Sequence, residues 1–178
     1  MEFTAAGIVP EPEVKQYTLS ILVRNHPGVL SHVAGLFTRR GYNIESISAG
    51  ITERSDITRI TIVVTGDNNI LEQVLKQCQK LVDVIKISSL KYSESVSREL
   101  AIIIVTARQE DRSRIIEIAG VFDANIVDLA EGAIVLEVVG NARRINSVIQ
   151  LLSPFGIEDI ARTGVVALAY RSQIPAIN

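Results

Sequence analysis

The sequence is poor in the residues on which several common protein chemistries depend. Its 178 residues include one cysteine, Cys78, two histidines and no tryptophan. A single cysteine excludes an intramolecular disulfide framework and a zinc site built from several cysteines. We expect Cys78, which lies in the apolar stripe of a predicted helix, to be a buried thiol. Aromatic residues form only 4% of the chain, which argues against a surface that stacks on nucleic-acid bases.

The chain also lacks a charge bias and a long hydrophobic run. Its 18 Lys and Arg nearly balance its 20 Asp and Glu, giving a net charge of −2, so nucleic acid is not an expected partner. Apolar stretches such as residues 100–105 are far too short to span a bilayer, so no membrane partner is expected. The N-terminus carries acids and prolines where a signal peptide has bases and an apolar core. These features predict a cytoplasmic globular protein with a flexible N-terminal extension over residues 1–16.

The first half of the remaining chain has a clear βαββαβ pattern. Residues 17–23 alternate apolar and polar side chains, as in a strand. A turn signal, Asn25-His26-Pro27-Gly28, then precedes a helical apolar pattern that begins at Leu30 and ends before Gly41. The other predicted elements are two strands, a helix and a last strand, over residues 43–51, 57–65, 69–81 and 84–92.

The second half repeats this order of elements. Strands are predicted over residues 100–106, 126–129, 133–139 and 165–170, and helices over 112–122 and 143–152. Asn43-Ile44 matches Asn125-Ile126 at an offset of 82 residues, and Val74 matches Val148 at an offset of 74. Either an internal duplication or two unrelated domains of one architecture would give this match. The predicted fold class is α+β, with ferredoxin-like domains over residues 17–92 and 97–172.

Two strands of the second half are apolar on both faces. Residues 102–105 and 165–168 are unbroken apolar runs, and such a strand needs cover on both of its faces. We therefore expect the second domain to pack on a partner or on a second copy of itself.

The sequence contains none of the short motifs that would indicate an enzyme. It has no glycine-rich dinucleotide or phosphate loop, no Gly-x-Ser-x-Gly motif and no metal-ligand spacing. His32 lies on the predicted first helix and is expected to be exposed. The chain is therefore expected to be non-catalytic.

One segment has a physical argument for ligand binding: Asn25-His26-Pro27-Gly28-Val29-Leu30. The free N–H groups and the positive dipole end of a helix start bind anions such as a carboxylate. Gly28 would let a ligand approach the backbone, and the Asn25 amide can both donate and accept. The alternative is an ordinary strand-to-helix turn with an asparagine cap. The equivalent residues 107–110 have neither Gly nor Asn, so no second site is expected there.

This segment, followed by Arg39-Arg40-Gly41-Tyr42-Asn43-Ile44-Glu45-Ser46-Ile47, strongly resembles the N-terminal ACT domain of the regulatory small subunits of acetolactate synthase (acetohydroxyacid synthase). Residues 71–74 and 80–84 look like the second helix of that family and the turn after it. Arg162-Thr163-Gly164-Val165-Val166-Ala167-Leu168 is similar to its C-terminal signature.

The resemblance implies a regulatory role and a ligand. In that family a separate large catalytic subunit carries thiamine diphosphate, FAD and Mg²⁺, and it condenses two pyruvates, or pyruvate with 2-oxobutyrate. The small subunit, which holds no cofactor, activates it and confers feedback inhibition by valine. ACT domains form a homodimer with valine between them. By resemblance, Asn25, His26, Pro27, Gly28, Val29 and Leu30 would bind the effector from one protomer, and Asn43 and Ile44 from the other.

Three other functions share parts of this pattern. A stand-alone ACT-type amino-acid sensor could regulate a different enzyme or a transcription factor. A small ferredoxin-like enzyme would need a catalytic set that the sequence lacks. An RNA-recognition module would need stacking aromatics on its middle strands, where this chain has Ile60, Ile62 and Val64.

Overall fold

The computed structural model describes residues 15–173, which form two βαββαβ units in tandem. The elements of the first unit are β1 Lys15–Arg24, α1 Val29–Arg40, β2 Ile44–Ile51, β3 Ile57–Gly66, α2 Asn68–Cys78 and β4 Val84–Leu90. Every predicted element of this half is confirmed, although α2 ends three residues and β4 two residues before the predicted positions. The predicted extension lies outside the described residues, except for Lys15 and Gln16, which begin β1.

The first sheet is antiparallel in the order β2-β3-β1-β4, so β2 and β4 are its edges. Leu19, Ile21 and Val23 of β1 point to the core, as their alternation predicts, and pack with the apolar faces of α1 and α2. Helix α1 ends at Gly41, whose φ of 68° is left-handed and suits a residue without a Cβ. Cys78 is fully buried at the end of α2, and burial raises the pKa of its thiol to about 11.

The second unit has the same element order with one more strand. Its elements are β5 Ser95–Ala107, α3 Arg112–Val121, β6 Asn125–Ala130, β7 Gly132–Gly140, α4 Ala142–Leu152, β8 Ile157–Arg162 and β9 Val166–Ala169. The sheet order is β6-β7-β5-β8, which places β6 where β2 lies in the first unit. Strand β9 pairs with the first residues of β5, outside that path.

The two cores correspond residue by residue, which confirms the shared architecture. Ten buried pairs match at the two predicted offsets: Leu19/Ala101, Ile21/Ile103, Val23/Val105, Val33/Ile115, Phe37/Ala119, Ile60/Ile134, Ile62/Leu136, Val64/Val138, Val74/Val148 and Cys78/Leu152. Tandem ferredoxin-like domains are therefore the fold of this chain. At the turn after the first strand the cores differ, because Ala107 is buried whereas Asn25 is exposed.

The prediction that residues 165–170 form the fourth strand of the second unit is wrong. That strand is β8, which pairs with Ile103 and its neighbours on β5. Its apolar residues, Ile157 and Ile160, are three positions apart because a bulge between Ile104 and Val105 shifts the register. A bulge adds a residue and breaks the period of two on which strand prediction depends.

Strand β9 instead joins the two domains. It pairs with Ser95–Arg98 and lies against β1 and β4 of the first sheet. Just before it, Gly164 has a φ of 74°, and a Cβ there would lie 3.2 Å from the Ile47 carbonyl oxygen. The outer face of the first sheet is thus covered by the C-terminal segment, and its polar residues Ser20 and Thr61 are buried.

The second sheet keeps part of its apolar surface open. Ile102 is 42% exposed and Val166 is 53% exposed, so residues 15–173 do not fully cover either apolar run. A partner for this surface remains a prediction. Within residues 15–173, no helix is long and apolar enough to cross a membrane.

Candidate functional site

The segment between β1 and α1 forms an open turn at the N-terminus of the helix. Gly28 is the N-cap residue of α1, and its φ of 88° is a left-handed conformation. No side chain caps the helix, and in residues 15–173 no acceptor reaches the backbone N–H groups of Leu30 and Ser31. Apart from Gly28 and its two chain neighbours, no residue that the structure describes has an atom within 4 Å of the position that a Cβ on Gly28 would take. The turn therefore presents free donors beside open space, as an anion site requires.

Asn25 ties this turn to the β2–β3 hairpin. Its side-chain amide nitrogen, Nδ2, donates to the Ser55 carbonyl at 2.9 Å, and its backbone N–H donates to the Asp56 carbonyl at 2.8 Å. The alternative of an asparagine cap is therefore wrong, since Asn25 bonds across the sheet and not along the helix. Among the described residues no donor reaches Asn25 Oδ1, which leaves that oxygen able to accept from an ammonium group.

A carboxylate that the sequence analysis missed holds the other side of the turn. Asp83, in the loop after α2, accepts from His26 Nε2 at 2.8 Å and contacts His32 Nδ1 at 3.2 Å. These contacts hold the pKa of Asp83 below its usual range, and the Asp83 contact raises the pKa of His26. His32 is exposed, as predicted. Only the fold brings Asp83 to this turn, 57 positions from His26.

Asn43 and Ile44, the other two predicted site residues, lie at the opposite end of the sheet. Ile44 pairs with Val64, whereas Arg24, at the turn, pairs with Ile57 of the same strand. Seven residues along a strand span about 23 Å. The structure therefore brings together residues 25–30 but not Asn43 and Ile44 within one chain. Asn43 donates to Glu45 Oε1 at 2.8 Å.

The equivalent turn of the second domain is built differently. Asp111 precedes α3 in a right-handed conformation, and its side chain makes no capping hydrogen bond to the helix. The Arg112 guanidinium bridges the turn, donating from Nη2 to the Ala130 carbonyl at 2.8 Å and from Nε to the Ala107 carbonyl at 3.5 Å. In the second domain the Arg112 side chain therefore links the end of β5 to the β6–β7 hairpin, as Asn25 links the end of β1 to the β2–β3 hairpin in the first domain.

An ion pair with a buried carboxylate, also missed, lines a cavity of about 440 Å³ between the domains. Arg162 donates to both carboxylate oxygens of Glu99, at 2.6 Å and 2.7 Å. The Glu99 side chain is 4% exposed and that of Arg162 is 37% exposed, and the pair raises the pKa of Arg162. Because Arg162 precedes the segment that packs on β2, the pair fixes where that segment leaves the second domain.

Matches to two protein-family models define the class of protein to which this chain belongs. Residues 19–86 match the acetolactate synthase (AHAS) small subunit-like ACT domain, and residues 98–171 match the family described as the small subunit of acetolactate synthase. The chain is thus an ACT-domain protein with a second ferredoxin-like domain.

Full-length relatives then define the family. The chain is 48% identical over 153 residues to a protein of Archaeoglobus fulgidus named "Probable acetolactate synthase small subunit", covering 86% of this chain and 96% of that protein. It is 46% identical over 155 residues to the acetolactate synthase small subunit of Mycobacterium bovis, covering 87% and 92%. The crystal structure of the Thermotoga maritima small subunit superposes with a TM-score of 0.82 at 37% identity, covering 88% of this chain and 98% of that one. The chain belongs to the acetolactate synthase small-subunit family, which confirms the resemblance.

Proposed function

We propose that this chain is a regulatory subunit that activates a separate acetolactate synthase catalytic subunit and makes it sensitive to valine. Thiamine diphosphate, FAD and Mg²⁺ would belong to the catalytic subunit, and this chain would supply no catalytic group. The observation that carries the effector role is the open turn at Gly28, in a domain of the amino-acid-sensing class.

The turn has the chemistry to hold a free amino acid. The Leu30 and Ser31 amides would donate to its carboxylate, assisted by the positive end of the α1 dipole. Asn25 Oδ1 would accept from its ammonium group, since the amide Nδ2 is already held by Ser55. Leu30, which is 43% exposed, would contact an aliphatic side chain, as a branched-chain effector requires.

Asn43 and Ile44 would complete the site from a second protomer. Strand β2 is a sheet edge, and its Ile51 is 66% exposed. Antiparallel pairing of two β2 edges about a two-fold axis would join the two four-stranded sheets into one continuous sheet and leave neither β2 edge unpaired. It would also place Asn43 of one protomer beside the β2–β3 hairpin of the other, which Asn25 contacts through Ser55. This geometry supports a side-by-side homodimer of ACT domains.

The C-terminal segment offers a route from effector to catalytic subunit. The Val165 N–H contacts Ser46 Oγ at 3.5 Å, and Gly164 approaches Ile47. Both contacts lie on β2, within four residues of Asn43. A change in β2 on effector binding would therefore reach the second domain directly, and feedback needs a coupling free energy of typically about 1–3 kcal/mol.

Isothermal titration of the purified chain with L-valine tests the effector role. We expect saturable binding at one site or fewer per chain, lost in Gly28→Ala. Gly132→Ala is a matched control, because Gly132 has a φ of 87° with open space around it but is the first residue of β7, in the other domain. Loss of binding in both variants, or in neither, would contradict a site at the Gly28 turn.

Absence of binding to valine, leucine and isoleucine would leave two possibilities. Either the site forms only with the catalytic subunit, or the chain activates without sensing. Repeating the titration with the catalytic subunit present separates them. Failure to co-purify with a thiamine-dependent large subunit would instead favour a stand-alone ACT sensor.

A further inference from the structure

Each ring nitrogen of His26 lies within hydrogen-bonding distance of an acceptor oxygen. Its Nδ1 lies 2.9 Å from the Pro27 carbonyl oxygen and its Nε2 lies 2.8 Å from Asp83 Oδ1. A carbonyl oxygen can only accept, and so can an ionised carboxylate. A neutral imidazole carries a single N–H, whereas the cation carries two. Both short contacts are therefore satisfied at once only when His26 is protonated.

The charges around His26 agree with a cation. Asp83, from the loop after α2, is the opposite charge in direct contact, and Arg24 at the end of β1 is the opposing like charge. His32 of α1 contacts the second Asp83 oxygen, with its ring centroid 6.5 Å from that of His26. On the hairpin side, the Asp56 carboxylate is paired with Arg54. The hydrogen bonds to Asp83 and Pro27 outweigh Arg24 and burial, so the pKa of His26 is raised.

We propose that His26 is a protonation-dependent clamp on the turn that carries Gly28 and the free helix amides. In its cationic form it joins the Pro27 carbonyl on one side of the turn to Asp83 on the other. When the proton is lost, one of these two hydrogen bonds is lost with it, and the turn is released from Asp83 or from its own carbonyl contact.

The clamp predicts how the turn depends on pH. Since folding raises the pKa of His26, the stabilisation is fully present below the ordinary histidine value of about 6.5. It is lost as pH rises through the raised value in the folded chain. A consequence for ligand binding rests on the proposed function. If the turn binds an amino-acid carboxylate, the affinity for that ligand should fall over the same pH range, because the helix amides lose their fixed position and a nearby positive charge.

An NMR titration of the full chain tests the clamp without any effector. We expect the His26 ring to titrate above about 6.5, and the Gly28 and Leu30 amide resonances to shift with the same midpoint. Asp83→Asn should lower the His26 midpoint. His32→Gln is the matched control, since it removes the other histidine from the same carboxylate and should leave Gly28 and Leu30 following His26. A His26 midpoint at or below 6.5, or amides that do not follow it, would overturn the proposal.

Valine titrations at pH 6 and pH 8.5 test the consequence for binding. We expect affinity to be weaker at the higher pH, where His26 has lost its proton, and His26→Gln to remove most of that difference. Equal affinities in the native chain would show that the clamp does not act on the effector. No valine binding at either pH would count against the proposed effector, while the NMR titration alone would still decide whether His26 clamps the turn.

Discussion

The first turn of each domain joins the central strand to a helix, and the two turns have different side chains on the same backbone plan. In the first domain the helix starts at a left-handed glycine, Gly28, with free amides and open space beside it. In the second, Arg112 bridges from Ala107 to Ala130 across the equivalent position. The cores behind the two turns are matched in ten positions.

This contrast separates the residues that stabilise the fold from the residues that could bind a ligand. The shared core positions are needed to cover one face of a four-stranded sheet, so both domains keep them. Of the turn residues, only Val29 in the first domain and Ala107 in the second belong to the buried cores, so the remaining turn residues can change without changing the fold. A binding function can therefore be present in one copy of an architecture and absent from the other.

The largest expected effect tests whether the two cores are equivalent. Ile21 and Ile103 are fully buried at corresponding positions of the central strands. We expect Ile21→Ala and Ile103→Ala each to lower the free energy of unfolding by about 3 kcal/mol, since each leaves a cavity that the sheet cannot fill. Urea unfolding followed by circular dichroism measures both. A cost below about 1 kcal/mol for one variant alone would show that the cores are not equivalent.

The next effect tests a feature found in the second domain alone. Arg162→Ala would leave Glu99 buried and unpaired, which should lower the free energy of unfolding by about 2 kcal/mol, a value reduced for the partial exposure of Arg162. Exposed Arg143 is the control, and Arg143→Ala should stay within about 0.5 kcal/mol. Thermal unfolding of the two variants in parallel measures this difference in stability. Similar midpoints would mean that the ion pair adds no net stability.

A smaller effect compares two left-handed glycines. Gly28 and Gly132 have φ angles of 88° and 87°, and both have open space around them. Each Gly→Ala change should cost about 1 kcal/mol of stability from backbone strain alone. In an assay of the assembled enzyme, Gly28→Ala should abolish valine sensitivity and keep activation, whereas Gly132→Ala should keep both. Loss of activation and sensitivity together in Gly28→Ala would argue against separate roles for the two domains.

The smallest effect concerns the contact between the domains. Ser46→Ala removes the hydroxyl that faces the Val165 N–H. Stability and valine affinity should hardly change, but the valine response of the assembled enzyme should weaken by about 0.5 kcal/mol, roughly twofold. Inhibition curves beside calorimetry of the same variant measure both quantities. A proportional change in affinity would place Ser46 in the binding site and not in the coupling route.

Much of the fold could be predicted because its signals are local. The alternation of Leu19, Ile21 and Val23, the helical spacing after Leu30 and the glycine at position 41 each act within one element. The turn at Asn25–Leu30 was also recognisable, since its residue types are those that a helix-start anion site needs. Strand β8 was missed because of the bulge opposite Ile104 and Val105. A single added residue turns the side chains that follow it to the other face of the sheet, so the apolar alternation of the strand is lost.

The sequence by itself determined the first βαββαβ unit, all of the second except its fourth strand, the matching cores and the position of the open turn. Apolar periodicity and backbone preference depend on residues that are close together in the sequence, so they can be recognised without the tertiary structure. Only the tertiary structure decided that Asp83 contacts His26, that Glu99 is paired with Arg162, and that β9 packs on the first sheet. Each of these contacts joins residues more than 50 positions apart, and its geometry depends on how strands and domains pack. The same packing places Asn43 and Asn25 at opposite ends of one sheet, so a site that uses both needs two chains.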